Sequence, residues 1–131
     1  MTDYINNTVN NFSGTLGTIK TPTEEYLFNV REGIPMFNNK WATEQHNMAN
    51  KGLFDCKRVR PDIQPRISFL INRVKYTGKD NYPKLIILMQ YLLGTQDLRL
   101  ILRSDHKNII KWYIYTPHAV YNDTRGHTGV R

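Results

Sequence analysis

Apolar side chains recur at three- and four-residue steps through the middle of this chain and at two-residue steps further on, so the pattern predicts helices first and strands afterwards. From Trp41 to about Val59, Ala42, His46, Ala49, Leu53 and Cys56 share one helical face. That helix must stop before Arg60-Pro61, because a residue preceding proline is pushed out of the α region. A second helix is expected from Asp62 as N-cap, with Pro65 tolerated in the first turn and Ile67, Leu70, Ile71 and Val74 buried. A third starts at Asp80 or Asn81, carries Pro83 in its first turn, and ends near Gly94, which is placed for a left-handed C-terminal residue. The period then alternates: Leu98, Leu100 and Leu102 face one way, residues 104–108 turn, and Ile110, Trp112 and Ile114 return, which predicts a hairpin. Before Asn39 the pattern is weak, with a short helix from Asp3 to about Phe12 on Tyr4, Val9 and Phe12, and then loops marked by Gly14, Gly17, Pro22, Gly33 and Pro35. The expected class is α+β, mainly helical. Its parts are a poorly ordered segment over 1–39, a three-helix bundle over 40–95, and a β-hairpin with loop over 96–131.

Charge changes the picture by its placement. Residues 1–50 carry three basic and five acidic side chains, whereas 51–131 carry 15 and six, within a formal net charge of +7. A positive second half suits a polyanion partner, since each Lys or Arg set against a phosphate releases counterions; the competing reading is a basic, solvated surface. The lone Cys56 excludes an internal disulfide and a cysteine-based zinc cluster. The apolar run from Leu85 to Leu93 is far shorter than the roughly 20 residues of a membrane span, and the polar opening lacks a signal-peptide pattern. The expectation is an intracellular chain that is neither secreted nor membrane-bound.

Three strings carry a resemblance. Lys57-Arg58-Val59-Arg60-Pro61-Asp62-Ile63-Gln64, Tyr91-Leu92-Leu93-Gly94-Thr95 and Arg125-Gly126-His127-Thr128-Gly129, with the strand-like Ile110 to Ile114, resemble the copia-type retrotransposon Pol polyprotein. The similar region runs from the C-terminal, thumb and connection part of the reverse transcriptase into the start of RNase H. The resemblance implies a thumb-like three-helix bundle, then the first hairpin of an incomplete RNase H-like domain, and a template–primer duplex of RNA or DNA as partner. It also implies magnesium chemistry, for which the ligands are missing here. The polymerase carboxylates would precede Met1, later RNase H carboxylates would follow Arg131, and Tyr115 stands where the first RNase H aspartate is expected. A neutral phenol does not replace an anionic oxygen ligand of magnesium. The implied molecule is a degenerate or truncated fragment, inactive alone and without a cofactor, that keeps duplex-facing surface. The alternative is a stand-alone basic nucleic-acid-binding or protein-interaction module derived from a transposon.

Lys57, Arg58, Arg60, Arg66, Arg73 and Lys111 are the candidate phosphate contacts; otherwise they are solvated helix ends, where cations suit the C-terminal dipole. Lys107 could extend the same stripe or sit in a solvated turn. Trp112, Tyr113 and Tyr115 invite base stacking, against a core role for Trp112. His118, Asp123 and His127 match no established metal spacing. Cys56 reads as a small buried hydrophobe despite its basic neighbours, and His46 as a packed residue. Two drifts run opposite ways relative to the family. Gly52 and Asp55 replace apolar residues on the first long helix, and Ile86, Ile87 and Leu93 replace polar ones on the third. The latter three are the candidate surface for self-association.

Overall fold

A computed structural model describes residues 2–12, 17–29, 33, 35, 38–74, 78–98, 100, 101, 103, 107, 109, 110, 114, 115, 129 and 130. Four α-helices dominate it: α1 (Thr2–Asn10), α2 (Asn39–Arg58), α3 (Gln64–Asn72) and α4 (Asn81–Gly94). The last three occupy the region where three helices are expected. No helix among the described residues is long and apolar enough to cross a membrane.

Each helix has a local cause. In α1, Ile5 and Val9 are buried one turn apart and Phe12 continues their line, while Asp3 sits at the favourable N-terminal end of the dipole. Asn38 caps α2 by accepting from Lys40 N at 3.4 Å, and Lys57 and Arg58 supply cations to its last turn. The buried face of α2 is Gln45, Met48, Ala49, Gly52, Asp55 and Cys56. His46 is exposed, which corrects its reading as a packed residue. Two polar side chains, Gln45 and Asp55, lie on the inner face, so an apolar count draws the stripe about one residue off.

Gly52 has a packing role that its reading as a weakened position misses. A Cβ there would overlap Cδ1 of Ile67, so the glycine lets α2 approach α3. Between these helices, Pro61–Ile63 forms a single 3-10 turn, and α3 begins only at Gln64, with Pro65 at a position that needs no donor. Asp62 therefore caps nothing; its carboxylate is used elsewhere. In α4, Leu85, Leu88, Met89 and Leu92 are 0% exposed and anchor the core. Gly94 is not left-handed but the last helical residue of α4, and the C-cap Thr95 that follows has φ −133°. Instead Gly94 permits close passage of the chain: a Cβ would lie 3.2 Å from the Ile19 carbonyl.

One core takes residues from all four helices. Ile5, Val9 and Phe12 join Met48, Ala49, Ile63, Ile67, Phe69, Leu70, Leu85, Leu88 and Leu92. Aromatic contacts stitch the layers, Tyr4 to Phe54 at 5.1 Å, Phe12 to Tyr82 at 6.0 Å and Trp41 to Tyr82 at 5.1 Å. Ile86 and Leu93 pack partly against this core, and with Ile87 they are half-buried.

The α+β expectation is overturned. Among the described residues of the expected hairpin, Leu98, Leu100, Ile101, Arg103, Lys107, Ile109 and Ile110 form no strand, while Leu102 and Trp112 lie outside the described residues. Strand residues among those described are limited to the two-residue pairs Ile114–Tyr115 and Gly129–Val130, antiparallel with Ile114 opposite Val130. The physical reason is a missing surface. An isolated hairpin is marginal in water, and its alternating face needs something apolar to cover. Here Ile101 is 71% and Ile110 80% exposed, while the helices already close on one another.

Candidate functional site

The break between α2 and α3 is where charge gathers. Its centre is Arg60, 1% exposed although it precedes a proline at a helix end. Its guanidinium donates from Nε to Asp62 Oδ1 at 3.0 Å and from Nη2 to Asp62 Oδ2 at 2.8 Å. The same group reaches across to the end of α4, with Nη1 to the Thr95 carbonyl at 2.9 Å and Nη2 to Thr95 Oγ1 at 2.7 Å. Tyr91 closes the ring of contacts. Its hydroxyl donates to Asp62 Oδ2 at 2.7 Å, and its ring lies 5.2 Å from the Arg60 guanidinium carbon. Thr95 Oγ1 in turn donates to the Tyr91 carbonyl at 2.6 Å.

Every donor of this cluster has a use, which is the condition for keeping an ion pair inside a protein. The titration directions agree. Burial opposes charge on Asp62, yet hydrogen bonds from Arg60 and Tyr91 outweigh it and hold the carboxyl below its ordinary value. Burial likewise opposes charge on Arg60, and Asp62 outweighs it, raising the pKa. The Tyr91 phenol is raised, first by burial and then by the bond to Asp62.

The other candidate cations divide by exposure. Lys57 and Arg58 are exposed, and Arg58 lies over the Phe54 ring at 5.4 Å. Arg66, 1% exposed, and Arg73, 6%, are interior residues of the α3 region. Arg66 Nη1 donates to the Lys84 carbonyl at 2.7 Å, and Arg73 sits over Phe69 at 5.0 Å. Burial lowers the Arg66 pKa to about 10. Arg60, Arg66 and Arg73 therefore do not form an exposed stripe along a groove, because all three are buried. Lys111, Trp112, Tyr113, His118, Asp123 and His127 lie outside the described residues, and only the backbone of Tyr115 is described. Cys56 is buried in the core.

Sequence reasoning misses three partners of Arg60: Asp62, Tyr91 and Thr95. A signal for them exists, because all lie in strings already singled out. Arg60 and Asp62 belong to 57–64, and Tyr91 and Thr95 open and close 91–95. Lys84 is a further omission; this buried cation of α4 lies over Phe69 at 4.3 Å and donates to the Asn29 carbonyl at 2.7 Å. Comparison of the chain with protein-family models, with curated proteins and with solved structures finds no match. The resemblance to the copia-type Pol polyprotein thus rests on the sequence strings themselves.

Proposed function

We propose that this chain is a thumb-like helical piece of the copia-type reverse-transcriptase lineage, inactive by itself, that lies against a template–primer duplex. The observation that carries this reading is the meeting of two family-like strings, residues 57–64 and 91–95, in one hydrogen-bonded cluster around Arg60. Strings held together by mutual contact have a structural reason to occur together, whatever surface they border. The cluster fixes the end of α2 against the end of α4. Lys57 and Arg58 project from that fixed end as exposed cations, which is all that sequence-independent phosphate contact needs. In support of inactivity, Tyr115 stands at the place the resemblance assigns to an RNase H aspartate.

Fluorescence anisotropy of a labelled RNA–DNA duplex at several salt concentrations tests the reading. Binding should weaken linearly in log salt, with a slope contribution of about −0.9 for each phosphate contacted. Replacing Lys57→Ala and Arg58→Ala together should flatten the slope by about 2 on that basis. Absence of binding at low salt, or an unchanged slope in the double variant, would contradict the proposal.

A further inference from the structure

Arg66 is an interior cation with an open fork. Arg66 uses Nη1 for the Lys84 carbonyl, while its Nε and Nη2 are shielded from solvent and have no hydrogen-bond partner. Those two atoms form the side-on edge of the guanidinium, with two N–H bonds spaced to take two oxygens of a carboxylate or a phosphate. Burial of a cation is costly where the protein leaves its donors unpaired.

The surroundings favour an anion. Lys84, 6% exposed, lies in the first turn of α4, a helix whose N-cap Asp80 makes no side-chain capping bond. Its positive dipole end therefore adds to the charge of Lys84 and of Arg73, both set against Phe69. Residues 17–29 cover this region as a strap. Ile19 N donates to the Gln90 carbonyl at 3.4 Å, Lys84 Nζ holds the Asn29 carbonyl, Leu27 is 1% exposed, and Phe28 packs on Phe69 at 6.0 Å. Glu24 on the strap acts electrostatically on Arg66, yet its carboxylate does not occupy Nε or Nη2.

We infer that the Nε–Nη2 edge of Arg66, beneath the strap, is a receptor for a small free oxyanion of the phosphate class. Burial at 1% exposure excludes the backbone of a nucleic-acid polymer, so the ligand enters as a small ion when the strap opens. This goes beyond the duplex reading and does not depend on it: Lys57 and Arg58 serve the one, Arg66 the other.

The test is a titration of the full chain with inorganic phosphate, with chloride at matched ionic strength as reference, followed through the Arg66 Nε–H resonance and the thermal midpoint. The resonance should move saturably and the midpoint rise above the chloride reference. Arg66→Met should weaken phosphate binding roughly 10- to 100-fold, as loss of charge-assisted hydrogen bonds implies, while Lys57→Ala should leave it unchanged. An Arg66 resonance that ignores phosphate overturns the inference, even if Arg66→Met folds poorly, because that reading comes from the unaltered protein. An equal midpoint rise in Arg66→Met overturns it too. So does a resonance that moves with the duplex but not with phosphate, or one shifted by Glu24→Gln and insensitive to phosphate, which would assign the fork to the chain's own carboxylate.

Discussion

Asp55 is 0% exposed on the inner face of α2, and neither carboxylate oxygen has a hydrogen-bond partner. Burial pushes its pKa up to about 6, against the pull of Arg60. The sign follows from linkage. Below about pH 4 the carboxyl is protonated folded and unfolded, and burial of its charge costs nothing. Between about 4 and 6 the folded chain keeps a proton that the unfolded chain has released, so stability falls as pH rises, and above about 6 the full penalty is present. Asp62 runs the other way: its lowered pKa gives stability that is present above the ordinary carboxylate range and lost as pH falls through the lowered value. Asp55→Asn should therefore raise unfolding stability at pH 7.5 by up to about 3 kcal/mol, and change little at pH 4. Urea midpoints at the two pH values check this; an equal change at both would contradict it. From sequence, Asp55 reads as an acid that burial penalises. Arg60, Arg66 and Arg73 do not read as interior, because nothing local announces a carbonyl or carboxylate arriving from another helix.

The helix boundaries are legible because proline punctuates them. Pro61 ends α2, while Pro65 and Pro83 sit in first turns where a missing donor does no harm. The alternation after Gly94 misleads for an equally physical reason: periodicity reports which side chains share a face, not whether a partner surface exists to cover them. Gly52 shows the same limit at a helix crossing. Its low helix propensity reads as a weakness, whereas the approach of Ile67 makes the absent side chain useful. Gly52→Ala should destabilise the chain by about 1–3 kcal/mol through overpacking, despite a propensity gain of up to about 1 kcal/mol. Adding Ile67→Val removes the colliding Cδ1 and should recover part of the loss. Urea unfolding of the two single variants and the double measures the coupling, and additive effects would contradict the close approach.

Taken as one body, the chain is held by a shared apolar centre and by a polar clasp at its end. The centre includes residues of the α1 region, since Ile5, Val9 and Phe12 are within it. Weak patterning before Asn39 hides this, because one short helix shows too few turns for its face to stand out. The clasp joins residues 35 apart in sequence through Arg60 and Thr95, so it resists separation of α4 from the α2–α3 corner. It also explains how a basic string can serve the fold while Lys57 and Arg58 next to it stay exposed. The double-mutant cycle of Arg60→Met with Thr95→Val in urea unfolding asks most directly whether these strings bind each other. A coupling of about 1–2 kcal/mol is predicted for such a pair in contact; effects that add to within about 0.3 kcal/mol would mean that the clasp does not hold the molecule together.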